Sequence, residues 1–452
     1  MRSLATGTGR RRSSGLTAAG WAGLVLAAVP GCAAVAAEKP VTLTFLDAEL
    51  TAPAVSAPDP VLADFAHETG IHVDRIPGPE GTANQLNVWR QSLAKGGGAS
   101  DVYSIDVIWP DVLSEYLVDL RSIMSSEIDS DDPVAVANFT VAGQVVAISY
   151  RPHVGMLLYR TDLLRRYGYA APPRTWDELD TMAARIQAGE RTRGAKDFWG
   201  YVWQGAAAEG LLCNALEWQA AEGGGRIIED NKTISVNNPQ VVRVWQRAAR
   251  WVGTISPPGV VAYRETDAAN AWRAGNAAFL RTWESSYFLR RFAGIPQELV
   301  GGVAKAEGVG VTRVPGGKGG RAGTLGGFGL AISRSSAHPT EAASLVRFLV
   351  RREREAASGR EWRTSGPELI DLPAILDPPR AGAAGRLFQG VVARPSTTAG
   401  PRYAEVARAY FLALHGVLTG RDKAPEAVAA LEQQLVRLTG FKTGPPTPRP
   451  GQ

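Results

Sequence analysis

Cysteine is almost absent: the 452 residues include two, Cys32 and Cys213. Cys32 lies in the leader stretch, so once that stretch is cut or lipidated no internal disulfide can form, and an exported chain this large does not need one. Cys213 sits in an apolar helical stretch and reads as a small packed hydrophobe rather than a nucleophile. Histidine is scarce as well, with five scattered residues (67, 72, 153, 338 and 415). There is no H-E-x-x-H, no cysteine cluster and no G-x-S-x-G elbow, which takes support from metal and serine-type hydrolysis. Gly316-Gly317-Lys318-Gly319-Gly320 lacks the Ser or Thr that follows the lysine of a phosphate loop, and reads as a solvent-facing turn. No repeat at solenoid spacing is present.

A charge excess is missing too. The formal net charge is +5, but residues 1–37 hold four arginines (Arg2, Arg10, Arg11, Arg12) and no acid. Taking those four from the 49 basic residues leaves 45 against 44 acids, so the remainder gives no electrostatic case for nucleic acid. The leader itself has the order of a secretory signal: a basic Arg10-Arg11-Arg12, an apolar Leu16 to Val29, then small residues. Its apolar run, broken at Pro30-Gly31, is too short for a comfortable membrane span. Two processing sites compete, a lipoprotein-like Val29-Pro30-Gly31-Cys32 and an ordinary Ala34-Val35-Ala36.

What is present suits two α/β lobes, each large enough for its own core: 45% hydrophobic and 21% charged residues in 452. Val41, Leu43 and Phe45 alternate with threonines as a strand that runs into Asp47-Ala48-Glu49. A helix to Thr69 stopped by Gly70, a strand from Ile71, and a helix through Leu86, Trp89 and Leu93 follow. Next comes DVYSIDVIWP (101–110), a short buried strand stopping at Asp106 and handing over to a helix near Asp111. The order β-α-β-α-β-α predicts a parallel sheet. Ligands collect beyond the carboxyl ends of such strands, which places Asp106 and Glu49 where binding acids belong.

Farther on, Val145–Tyr150 and Val154–Tyr159 flank Arg151-Pro152-His153, read as a first crossing between lobes. Thr175 and Glu178 form a capping-box pattern. Asn276 to Glu284 reads as a strand ending in Trp283 and a carboxylate, the second crossing. The last helix stops at Gly440, and PPTPRPGQ reads as a disordered tail. Twelve tryptophans are many, and Trp109, Trp203 and Trp283 sit at predicted element ends. For any one of them core packing is the simpler reading, but beside Asp106, Glu49 and Arg394 they suit a carbohydrate cleft. Ionised groups fork between sugar hydroxyls, each charge-assisted bond contributing about 1.5–3 kcal/mol.

Seven segments in order then carry a family resemblance: DVYSIDVIWP, VGMLLYRTDLL (154–164), PPRTWDEL (172–179), YVWQGAAAEGLLCNALEW (201–218), AGNAAFLRTWESSY (274–287), GTLGGFGLAI (323–332) and ARPSTTAGPRY (393–403). The chain resembles the extracellular solute-binding proteins of ABC sugar importers, in the trehalose/maltose-binding branch. The resemblance implies an α/β, two-lobed periplasmic-binding-protein fold of type II, with mainly parallel sheets and three crossings. Lobe one would be 38–150 with 283–325, lobe two 151–282 with 326–440, and 441–452 a tail. It implies Asp106, Glu49, Tyr150, Glu265, Trp283, Tyr287, Gly327, Phe328 and Arg394 as substrate-binding residues, with Gly326-Gly327-Phe328 offering backbone N–H groups. His153 stands where the family often has an acid, which leaves the disaccharide preference open. No catalytic residue, metal or cofactor is implied. Expected partners are a sugar and membrane permease subunits, with the protein exported as a monomer, either periplasmic or anchored as a lipoprotein on the outer face of the inner membrane. The competing readings are a secreted glycoside hydrolase using acids such as Asp106 and Glu284, and a binder of a non-sugar solute such as a polyol or glycerol phosphate; recognition of a phosphate would call for clustered Arg and Lys.

Overall fold

The computed structural model describes residues 40–51, 59–79, 81–96, 100–283, 308–357 and 390–448, with only the backbone of 49–51 and 353–357. Thirteen strands follow in chain order: β1 Thr42–Thr51, β2 His72–Gly78, β3 Val102–Asp106, β4 Thr140–Val141, β5 Gln144–Val145, β6 Ile148–Arg160, β7 Trp199–Val202, β8 Ala277–Trp283, β9 Val309–Arg313, β10 Gly316–Gly317, β11 Gly320–Arg321, β12 Gly323–Ile332 and β13 Val391–Val392. Nine of them make one sheet in the order β2-β1-β3-β12-β6-β8-β7, with β13 against β12 and β9 against β6.

The expected parallel sheets are present only in part. β2-β1-β3, β7-β8 and β12-β13 pair in parallel, but β12 runs antiparallel to β3 and β6, and β6 antiparallel to β8 and β9. The two apolar runs around Arg151-Pro152-His153 form one continuous strand, β6. Its first half pairs with β12, and its second half with both β8 and β9. The register shifts between Gly327 and Phe328, opposite Pro152 and Tyr150. Arg151 there takes a left-handed φ of 50° and Gly327 a φ of 94°. A Cβ on Gly327 would run into the Arg151 carbonyl, so glycine alone lets the two kinked strands meet.

Two cores flank this kink. In one, Leu43, Phe45, Val102, Ile148, Leu330 and Ile332 of the sheet bury against Phe65 and the helix Pro339–Ala357, through Leu345, Phe348 and Leu349. The other is dense in indole: Trp176, Tyr201, Trp203, Trp218 and Trp251 contact one another edge-on or tilted, and Tyr201 stacks on Trp203, with centroids 5.2–6.5 Å apart. Such pairs each add about 0.5–1.5 kcal/mol beyond area burial and hold the helix Glu209–Ala221 rigidly.

Strand pairing and packing locate two further elements. β9, placed by sequence in lobe one, pairs with the second half of β6 beside β8. The helix Pro339–Ala357, placed in lobe two, packs in the core of β1 and β3. The segment 441–448 is also not a free tail, because Lys442 and Gly444 exchange backbone hydrogen bonds with Ile234.

Candidate functional site

Asp106 ends β3, whose preceding four residues are buried on both faces. Its Oδ1 accepts from the Ile108 N–H at 3.1 Å and from Arg394 Nη2 at 3.3 Å, while its Oδ2 has no partner among the described residues. Phe328 on β12 lies opposite it in register. Arg394, 6% exposed, also donates through Nη1 to Glu209 Oε1 at 3.1 Å. The Tyr403 hydroxyl donates to that same Glu209 oxygen. One guanidinium thus links the end of β3 to the amino-terminal residue of the helix Glu209–Ala221. Burial pushes the Asp106 carboxyl up, and Arg394 offsets only part of that; burial and Glu209 push the Tyr403 phenol far above its ordinary value. Arg394 Nε and Ser396 Oγ are buried without a partner among the described residues, so within them this corner keeps unused hydrogen-bonding capacity.

Trp283 closes β8 and is half-buried. Its ring lies against Gly326, where a Cβ would come within 2.8 Å of a ring carbon. Gly326 pairs with His153, and His153 meets Phe328 edge-on at 5.8 Å. Trp283, Gly326, Gly327, Phe328, Asp106 and Arg394 therefore form one continuous row. Beneath the indole, the Arg281 guanidinium stands 3.9 Å from the ring centroid.

Other expectations fall elsewhere. Tyr150 is 4% exposed and belongs to the first core, its ring covered by the Arg151 guanidinium. Trp109 packs on Trp89, and Trp203 is a core ring donating to Ser256, so neither is a cleft residue. Glu265, by contrast, begins the helix Glu265–Arg273, and a Cβ on Gly210 would lie 2.7 Å from its carboxylate, which puts it beside the residue that follows Glu209, on that side of the bridge. The Glu49 side chain, Glu284 and Tyr287 lie outside the described residues. Reading the sequence missed Glu209, Tyr403, Arg281 and Glu217. The available signal was position: Glu209 opens a helix, where a carboxylate is favoured, and Tyr403 closes the ARPSTTAGPRY segment.

Asp111 sits just beyond Trp109 in the short helix Pro110–Leu113, which packs on Ser396–Ala399 and Gly400–Arg402. Its Oδ2 is buried without a partner among the described residues, and burial pushes its carboxyl up to about 6. A value raised in the fold means the fold loses stability as pH rises through 6 and regains it toward pH 4. Asp111→Asn is expected to raise Tm by on the order of 2 °C at pH 8 and by nothing near pH 4. Equal gains at both pH values in paired melts would show that ionisation is not the cause.

A separate hollow of about 400 Å³ is lined by Asp197, Trp199, Tyr263, Asp267, Asn270 and Asn276. It lies at the amino-terminal ends of β7 and β8, opposite Trp283, and its two carboxylates stand in solvent. The Asp106 row shares no residue with it. Among the described residues no group of His, Cys, Asp and Glu could hold a metal ion, and no helix is long and apolar enough to cross a membrane. The row, with Glu209 beyond Arg394, offers two partly exposed carboxylates, an arginine between them and an indole at its far end. That set accepts from hydroxyls and covers an apolar face.

The model of the family described as bacterial extracellular solute-binding protein matches residues 47–355. A probable ABC transporter-binding protein of Deinococcus radiodurans is 40% identical over 381 residues, covering 83% of this chain and 89% of the relative. Among solved structures, maltose-bound MalE3 of T. maritima superposes with a TM-score of 0.71 at 28% identity, over 88% of this chain and 100% of that one. A solute-binding protein of Agrobacterium radiobacter K84 in complex with ribitol gives 0.63 at 22%, over 88% and 100%.

Proposed function

Because the chain belongs to the bacterial extracellular solute-binding protein family, we propose that it captures a disaccharide or oligosaccharide and delivers it to the permease of an ABC importer. It has the type II periplasmic-binding-protein fold, and its role is binding rather than catalysis. The observation that carries the sugar reading is the Asp106–Arg394–Glu209 bridge, which joins the end of β3 to the start of the helix Glu209–Ala221 and leaves one oxygen of each partly exposed carboxylate out of it. Hydroxyls of a neutral guest donate to those oxygens, and the half-buried Trp283 covers its apolar face. A guest held from both sides favours the closed arrangement by its differential affinity. The near balance of charge beyond the leader and the mainly acidic and aromatic row weigh against a phosphorylated guest. The maltose-bound neighbour supports an α-linked disaccharide, with trehalose as a candidate, and the ribitol complex keeps a polyol as the second reading. We further read residues 1–37 as a secretory leader, with Cys32 as the residue for lipid attachment if the lipoprotein site is used, and the mature protein as a monomer.

Calorimetry of the mature chain with maltose, trehalose, sucrose, palatinose and ribitol tests this. Micromolar binding of one α-linked disaccharide, about −8 kcal/mol, is expected. Binding of ribitol alone would favour the polyol reading, and release of monosaccharides during incubation would reject a binding-only role.

A further inference from the structure

The geometry points to Arg281 as the residue that positions the Trp283 indole for its ligand. The inference rests on the reading of Trp283 as a sugar-facing ring and adds what holds that ring in place. Arg281 has no solvent exposure, and neither has its partner Glu217. Its Nε and Nη2 donate to the two Glu217 oxygens at 3.1 and 2.5 Å, and Nη1 donates to Gln204 Oε1 at 3.4 Å. Gln204 in turn donates to the Arg281 carbonyl at 3.0 Å, and Asn214 donates to Gln204. A guanidinium held by this many bonds is a fixed plane.

Two observations connect that plane to the site. First, the guanidinium carbon lies 3.9 Å from the Trp283 ring centroid, two residues along the same strand, within the range of a cation–π contact. Desolvated contacts of this kind are the strong ones, so the ring has one favoured setting. Second, Glu217 Oε1 also accepts from the Thr324 N–H of β12 at 3.1 Å. On β6, Gly155 has no room for a Cβ because the Glu217 carboxylate occupies that space. The indole is therefore fixed, through Arg281 and Glu217, to the two strands that carry the kink. Arg281 acts through Trp283 and does not touch the ligand.

The experiment compares wild type, Arg281→Lys, Trp283→Phe and the double variant Arg281→Met/Glu217→Gln, which removes both charges at similar volume so that neither is left buried alone. The first readout needs no ligand: acrylamide quenching of the emission component lost in Trp283→Phe. It is expected to become about twofold more efficient in the double variant and to stay near wild type in Arg281→Lys, which keeps a cation beneath the ring. The second is calorimetric affinity for the saccharide that wild type binds, expected to fall about tenfold in the double variant with Tm little changed. Unaltered quenching in the double variant overturns the positioning role whether or not any sugar binds. Failure of wild type to bind every saccharide, with quenching altered as expected, overturns the sugar reading and leaves the role of Arg281 standing.

Discussion

Arg394→Ala is expected to weaken saccharide binding at least about 100-fold, which corresponds to two lost charge-assisted hydrogen bonds of about 1.5 kcal/mol each. The guanidinium spans Asp106 and Glu209 at 3.3 and 3.1 Å, so its removal disconnects the two sides of the site at once. It also leaves a half-covered pair of carboxylates facing each other without a cation between them. Burial already pushes the Asp106 carboxyl up, so without Arg394 it favours protonation further, and a protonated acid is a poorer acceptor for sugar hydroxyls. Arg394→Lys separates charge from geometry: an ammonium keeps the charge but lacks the fork that reaches both acids, and a loss of about tenfold is expected. Calorimetry at one pH with matched melts reads both variants. Wild-type affinity in Arg394→Ala would remove this residue, and the bridge with it, from the site.

The second large effect is on stability. Glu217→Ala leaves Arg281 charged at a position with no solvent exposure and deprives the Thr324 N–H of its acceptor. Breaking a buried pair from one side costs about 3–5 kcal/mol, whereas replacing both partners by neutral groups of similar size is often near neutral. Urea denaturation of Glu217→Ala beside Arg281→Met/Glu217→Gln is therefore expected to show a large fall in midpoint for the single change and a small one for the double. Similar losses in both would mean that packing around the pair, rather than its charge, carries the stability.

Local features were legible from the chain. Gly70 and Gly440 end their helices in the left-handed conformation. Thr175 accepts from the Glu178 N–H as the capping pattern requires, although Glu178 reaches the Arg174 N–H instead of the cap's own. Asp106 stands at the end of a buried strand, as its flanking residues indicated. The tryptophans were less readable, because Trp109, Trp203 and Trp283 all sit near element ends and only their neighbours in space distinguish core from cleft. Arg281 and Glu217 read as ordinary polar residues on a strand and a helix, with nothing nearby in sequence to pair them.

The alternation of apolar residues, the caps and the strand-end carboxylate come from contacts within about four positions, where hydrogen-bond geometry and side-chain period leave few choices. Those were determined by the sequence alone, together with the family resemblance. The partners of the site were decided by the tertiary structure: Arg394 meets Asp106 across 288 positions and Glu209 across 185, and Arg281 meets Glu217 across 64. Which of many possible ion pairs forms depends on the order of strands and on the kink at Arg151 and Gly327, since only the folded sheet brings those charges to one place and removes the water that would otherwise screen them.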